Sequence, residues 1–179
     1  MGTATLRPEV SGDDGHWLGS GLYGANELAF GLDVWGFVRL PSSPIPAGAT
    51  ILSAVPKFVA YGPSGAGFAA TCVFAAQDNP AVPTTAQAAQ QLPHTSDVSW
   101  APAGAWSSGV VYAGPDLSGP LQEVVSRAGY AAGNAVMLLI LGGSGSSPGS
   151  WTATATPAAP RSRRASLAMC ASTTRLNTA

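Results

Sequence analysis

The side chains best suited to chemistry lie near the N-terminus, where Asp13, Asp14 and His16 follow one another within four positions. Carboxylates and imidazole bind metal ions and transfer protons, so these residues are the first candidates for a site. Their spacing does not match an EF-hand loop, and the other histidine, His94, lies far away beside Pro93 in a predicted turn. A solvated glycine-rich loop is the favoured interpretation, and we predict no metal, cofactor or catalytic residue.

Two glycine patterns known from enzymes are present, but neither has the required surroundings. Residues 19–24 match G-x-G-x-x-G, yet no strand is predicted before them, no helix after them, and no acidic residue about 20 positions later. Residues 145–149 match G-x-S-x-G, but a nucleophile elbow needs a strand–turn–helix, which Pro148 and the next predicted strand oppose. The chain has two histidines and a single lysine, so we do not expect an enzyme.

Aromatic and basic side chains beside predicted loops are the remaining candidates for recognition. This predicted contact surface contains Trp17, Tyr23, Trp106, Trp151, Arg161, Arg163 and Arg164. Three interpretations of the arginine cluster stay open: a solvated segment, a clamp on an acidic neighbouring subunit, or a nucleic-acid contact. Nucleic acid is the least favoured, because no aromatic residues alternate with the arginines and no known motif is present. Trp35 and Trp100, in contrast, fall in predicted strands and are expected to fill the core.

Charged residues are scarce and unevenly distributed. They make up 9% of the chain, where soluble domains have about 25%, and the net charge is −1. No global field therefore attracts nucleic acid or an anionic membrane. Residues 1–123 contain all nine acids and three bases, whereas residues 124–179 contain five arginines and no acid. This layout suits head-to-tail contacts between copies, although the two parts could also neutralise each other within one fold.

Length and turn content predict a single all-β domain. A chain of 179 residues fits one core, and 22 glycines with 15 prolines exclude long helices. Short apolar segments between turns are typical of a β-sandwich or jelly roll. The predicted strands are 3–10, 29–40, 50–61, 67–76, 95–100, 106–112, 135–141, 151–156 and 165–172. Flexible loops are expected near 11–24, 142–150 and 156–164, followed by a short C-terminal tail.

Several segments carry more specific predictions. Residues 29–40 are apolar on both faces, which indicates a central strand, and Pro56 indicates that its own strand is an edge strand or contains a bulge. Residues 67–76 have one bulky face and one slim face, and the slim face could pack closely against another layer.

Two short helices are also predicted. Residues 84–92 should form one or two turns with a threonine cap. A second helix should begin near Asp116 or Ser118 and end before Gly129, with Leu121, Val124, Val125 and Ala128 on one side. It should lie across an open edge or end of the sandwich.

No segment has the pattern of an exported or membrane-spanning protein. Charges at Arg7 and Glu9 interrupt the region where a signal peptide needs its apolar run, and residues 136–141 are too few to span a bilayer. Cys72 and Cys170 could pair, but without an export signal buried thiols are favoured. We therefore expect synthesis in the cytoplasm without a signal peptide, and no membrane partner.

A series of motifs along the chain resembles one family. The motifs are W-G-F-V-R-L at 35–40, I-P-A-G-A-T-I at 45–51 followed by Ala54, V-S-W at 98–100, G-P-D-L at 114–117, L-Q-E-V-V-S-R at 121–127 and G-Y-A-A-G-N at 129–134. Their order is similar to that in DNRLRE-like jelly-roll domains, which occur in bacterial surface proteins and in small virion proteins of tailed phages. The resemblance extends from about residue 6 to residue 173.

The resemblance implies a jelly roll that works by binding or assembly and carries no catalytic residues. Together with the low charge, it predicts an accessory structural protein of a tailed-phage virion. The first expectation is a capsid decoration or cement protein on the capsid surface, a homo-oligomer with a trimer as first choice, whose partners are its own copies and a major capsid or other virion protein. The alternative is a tail-fibre or surface carbohydrate-binding module that recognises a glycan through its loop aromatics.

Overall fold

A computed structural model describes residues 2–10, 12–18, 21–24, 28, 34–60, 68–102, 104–142 and 168–174. The side chains of residues 18, 22–24, 86 and 168–174 are not among the described atoms. The predicted strand at 151–156 and the predicted loops at 143–150 and 156–164 lie outside the described residues.

The described chain is an antiparallel all-β sandwich with two short helices. Its strands are β1 Gly2–Leu6, β2 Asp14–Leu18, β3 Gly21–Gly24, β4 Val34–Leu40, β5 Thr50–Val59, β6 Ala70–Phe74, β7 Val98–Trp100, β8 Val111–Ala113, β9 Val136–Gly142 and β10 Ala168–Thr174. The helices are α1 Ala86–Gln90 and α2 Ser118–Val125. One sheet has the order β1-β10-β5-β8 and the other β3-β2-β4-β9-β6-β7.

The main core lies between the two sheets. Alternate residues of β4, β6 and β9 point into it from the six-stranded sheet, and alternate residues of β1 and β5 meet them from the four-stranded sheet. Phe58 of β5 is fully buried and stacks on Trp100 of β7, with 5.0 Å between ring centroids. This contact across the sheets confirms the predicted core position of Trp100.

A second buried cluster lies on the outer face of the six-stranded sheet. It joins Phe37 of β4, Val73 of β6 and Met137 and Leu139 of β9 with Ala89 of α1. As predicted, β4 is therefore a central strand with two apolar faces, and the slim face of β6 packs against another layer. α1 also matches its prediction, because the Thr85 side chain accepts a hydrogen bond from the Ala88 N–H at 3.0 Å.

The segment from residue 76 to residue 95 forms the cover over this outer face. The Ala76 N–H donates to the Pro93 carbonyl, which joins the two ends of the cover, and the Thr95 N–H donates to the carbonyl of Phe74 in β6, which joins the cover to the sheet. In the middle, the Arg39 side chain of β4 donates from Nε to the Pro80 carbonyl at 2.8 Å. These bonds hold the cover and the sheet as one packed unit.

Pro56 was predicted to lie in an edge strand or in a strand with a bulge, and the structure shows the second: β5 is an interior strand that contains a bulge. β5 pairs with β10 on one side and with β8 on the other, and its bulge lies at Leu52 rather than at Pro56. The missing N–H of Pro56 is tolerated because Pro56 lies opposite Gly114, just beyond the last residue of β8, where the paired ladder has ended. The Pro56 carbonyl still accepts the Gly114 N–H at 2.8 Å. A Cβ at Gly114 would lie 2.7 Å from the proline ring, so glycine is required there.

Helix α2 contacts β5 of the four-stranded sheet and β6 of the six-stranded sheet. It begins at Ser118, whose N–H is bonded by the Asp116 carboxylate, and Leu121, Val124 and Val125 are fully buried. These features match the prediction. The helix ends earlier than predicted, at Val125, so Ala128 lies beyond it and is exposed.

The prediction of a loop at residues 11–24 is wrong. Residues 14–18 and 21–24 form the hairpin of β2 and β3, which adds two strands beside β4. Glycine lowers the intrinsic strand propensity of this segment, but pairing with β4 and burial of Trp17 override that preference. His16 is therefore a half-buried strand residue rather than part of a solvated loop.

Candidate interaction surface

Two tryptophans of the predicted contact surface are core residues. Trp17 is 2% exposed and packs on Phe37, and Trp106 is 3% exposed and stacks on Tyr112 with 4.3 Å between ring centroids. Neither ring is available to a ligand at the surface. Sequence reasoning placed both beside glycine-rich loops, but burial of a large aromatic area outweighs local loop propensity. Tyr23 lies in β3 without a described side chain, and Trp151, Arg161, Arg163 and Arg164 lie outside the described residues.

The Asp13 carboxylate is a structural group rather than a metal ligand. It is 1% exposed, and its Oδ1 accepts a hydrogen bond from Arg39 at 2.9 Å. Its Oδ2 accepts the N–H groups of Glu9 and Val10, which fixes the turn before β2. Within the described residues, no group of three or more histidine, cysteine, aspartate or glutamate side chains could hold a metal ion.

The remaining charged contacts also connect elements of the fold. Arg127 donates to Asp78 at 2.6 Å, which joins the turn after α2 to the cover. Glu123 of α2 accepts hydrogen bonds from the backbone N–H and the hydroxyl of Ser96, just before β7. These carboxylates fix loops, and nothing in their arrangement resembles a general acid–base pair.

Two buried titratable groups are protected from solvent rather than activated. Burial raises the pKa of the Cys72 thiol to about 12, and Cys72 is a free cysteine. Burial also raises the pKa of the Tyr130 hydroxyl, while its hydrogen bond with Ser43 acts in the opposite direction. Cys72 thus matches the predicted buried thiol, and a thiol kept neutral is a poor nucleophile.

The outer face of the four-stranded sheet differs from every other sheet face. Its outward residues alternate with core residues along β1, β5 and β8, and no member of this set belongs to either buried cluster. We call it the open face; it contains Thr3, Thr5, Leu52, Ser53, Val55, Lys57, Val59, Val111 and Ala113. Leu52 is 45% exposed and Val111 is 57% exposed.

The open face is almost without charge. Among the residues of β1, β10, β5 and β8, Lys57 is the single charged one. Arg7 follows directly after β1 and is exposed, and beside it Ala168 of β10 pairs with Lys57. Exposed Leu52 and Val111 and the scarcity of charge make this face suited to packing against protein, because the cores of protein interfaces are depleted in charged residues.

Comparisons with known proteins give no assignment. No protein-family model matches the chain, and no curated protein or solved structure matches it significantly. In the described part of the chain, no helix is long and apolar enough to cross a membrane.

Proposed function

We propose that this protein is an accessory structural protein of a tailed-phage particle, a capsid decoration or cement protein that acts as a homo-oligomer. The observation that carries the proposal is the open face, a sheet surface with exposed Leu52 and Val111 and a single charge at Lys57. Covering such a face with protein removes apolar area from water without burying many ions. The same contact would hold neighbouring subunits of a shell together.

The strand connectivity supports the jelly-roll part of the proposal. Eight of the described strands remain when the β2–β3 hairpin is set aside, and they pair in nested order, first with last. β1 pairs with β10, β4 with β9, β5 with β8, and β6 with β7. A jelly roll wraps a long antiparallel hairpin of this kind into two sheets, and the β2–β3 hairpin is then an insertion that widens one sheet.

The burial of two aromatic residues counts against the carbohydrate-binding alternative. A sugar platform needs the faces of its rings exposed, whereas Trp17 and Trp106 are buried. That alternative now depends on Tyr23 and Trp151, so it is the weaker proposal.

Add-back to particles tests the proposed function. Purified protein should bind stoichiometrically to phage shells that lack it, and Val111→Lys should weaken this binding at least tenfold while the melting temperature stays unchanged. Val10→Lys is the matched control, because Val10 is 61% exposed but lies outside the open face. Co-sedimentation with the shells measures both affinities.

Two results would contradict the proposal. In one, the wild-type protein fails to bind shells and binds isolated tails instead. In the other, Val10→Lys weakens shell binding as much as Val111→Lys, which would mean that the open face is not the contact.

A further inference from the structure

We infer that the open face receives a second copy of this chain through the acidic corner formed by Asp97 and Glu123, in a head-to-tail contact. This inference deepens the proposed function and rests on its premise that protein covers the open face. The two surfaces carry opposite charges and lie on different sheets of the sandwich.

Two cations lie on or beside the open face, Lys57 on it and Arg7 just after β1. Arg7 and Lys57 flank the end of β10, so they lie two strand spacings apart, about 10 Å. Both side chains are exposed, and neither forms an ion pair with any residue that the structure describes. The strands of the open face supply no acid, so covering Lys57 with an uncharged surface would remove it from water without compensation.

Symmetric packing of two open faces does not solve this problem. Such an isologous contact would bring two copies of the same face together and so two copies of Lys57, without a carboxylate from either face. Repulsion and desolvation would both oppose it. The surface that covers the open face therefore needs to contribute acid.

The chain has an acidic corner on its other sheet. Glu123 of α2 is hydrogen-bonded to Ser96, and Asp97 follows immediately at the start of β7, an edge strand. Asp97 is 65% exposed, and its nearest cation is His94 at 3.8 Å, which is charged only when protonated. The corner thus offers two carboxylates to an approaching copy.

Contact between two different patches of identical chains is heterologous, and such contacts close into rings when the rotation allows it. Each copy would then contribute its open face to one neighbour and its acidic corner to the other. The contact would combine burial of Val111 and Leu52 with pairing of Lys57 and Arg7 to the corner. This arrangement also explains how a chain with few charges makes a specific contact.

Charge reversal and its rescue test the inference. In sedimentation equilibrium of the full chain, Lys57→Glu and Asp97→Lys should each weaken self-association at least tenfold. The double variant Lys57→Glu/Asp97→Lys should restore it to within about threefold of wild type, because every contact regains an opposite pair. Gln87→Glu is the control, because Gln87 is an exposed residue of α1 that belongs to neither the open face nor the acidic corner, so it should change the charge without affecting association.

The outcomes separate this inference from the proposed function. It is overturned if the wild-type chain is monomeric, if Lys57→Glu leaves association unchanged or strengthens it, or if the double variant is as weak as the single ones. If the single variants lose shell binding without changing self-association, the proposed function stands and the head-to-tail contact falls. If association is rescued by the double variant but no form binds shells, the inference stands and the proposed function falls.

Discussion

The two sheets differ in what lies against their outer faces. The six-stranded sheet buries Phe37, Val73 and Met137 beneath a cover from its own chain, which includes α1. On the four-stranded sheet, Val111 and Leu52 remain exposed, and the described residues supply no comparable layer. Both faces are poor in charge, yet the described residues cover only one of them.

This difference shows how to distinguish a folding surface from a binding surface. On the covered face the side chains are large and fully buried, and its cation Arg39 has a carboxylate partner. On the open face the side chains are smaller, and Lys57 has no partner among the described residues. Arg39 is thus held in the fold by its carboxylate partner, whereas the charge of Lys57 can pair with a carboxylate of another molecule.

The largest expected contrast is between the two cations. Arg39→Met removes the partner of the buried Asp13 carboxylate and the bond to Pro80, so it should lower the free energy of unfolding by about 3 kcal/mol. Lys57→Met should change it by less than about 0.5 kcal/mol, because the side chain is exposed. Urea denaturation of the two variants checks this. If Arg39→Met and Lys57→Met lowered the free energy of unfolding equally, the proposed distinction between the two faces would be wrong.

Two valines, one under the cover and one on the open face, test the difference in packing between the two faces. Val73 lies fully buried under the cover, and Val73→Ala should cost about 2 kcal/mol through lost burial and a small cavity. Val111→Ala removes the same atoms from the open face and should cost less than about 0.5 kcal/mol. Thermal unfolding distinguishes the two. A cost of Val111→Ala similar to that of Val73→Ala would mean that the open face is already packed within the monomer.

The close approach of the chain after β8 to strand β5 depends on Gly114. Gly114→Ala would place a Cβ 2.7 Å from Pro56 Cγ and 3.0 Å from Phe58 Cε2, and should destabilise the fold by about 1–2 kcal/mol. Gly119→Ala in α2 is the control, because its Cβ meets nothing within 4 Å and alanine favours the helix. Calorimetry should therefore give opposite signs for the two, and the same sign for both would argue against this packing.

A further predicted effect appears only at alkaline pH and concerns the interior that both sheets share. The pKa of Cys72 is raised from 9.0 to about 12, so the folded state keeps its proton where the unfolded state loses it. Stability is thus fully present below pH 9 and falls as the pH rises towards 12, by about 1.4 kcal/mol per unit.

Denaturant titrations at pH 9 and pH 10 measure this slope. Cys72→Ala should show a shallower decline than the wild type, and identical slopes would contradict the burial of the thiol. Iodoacetamide should leave Cys72 unmodified in the folded protein and label it after unfolding, as read from peptide masses.

Fold class and most strands followed from residue pattern, but the hairpin and the candidate site did not. Alternation in residues 67–76 predicted both faces of β6, and Thr85 predicted the start of α1. The β2–β3 hairpin was missed because its glycines indicate a loop, and only the neighbouring β4 supplies the pairing that overrides them. Trp17 and Trp106 were misassigned because solvent exposure depends on residues distant in sequence.

Short-range rules within the sequence thus determined the sandwich class, the helix caps and the scarcity of charge, since each depends on neighbours a few residues away. The tertiary structure alone decided which apolar face is covered and which is open. That choice depends on where the segment from residue 76 to residue 95 folds back and on the pairing of Arg39 with Asp13, 26 positions apart. Such long-range contacts leave no periodic pattern in the chain, so only the folded molecule distinguishes Val73 from Val111.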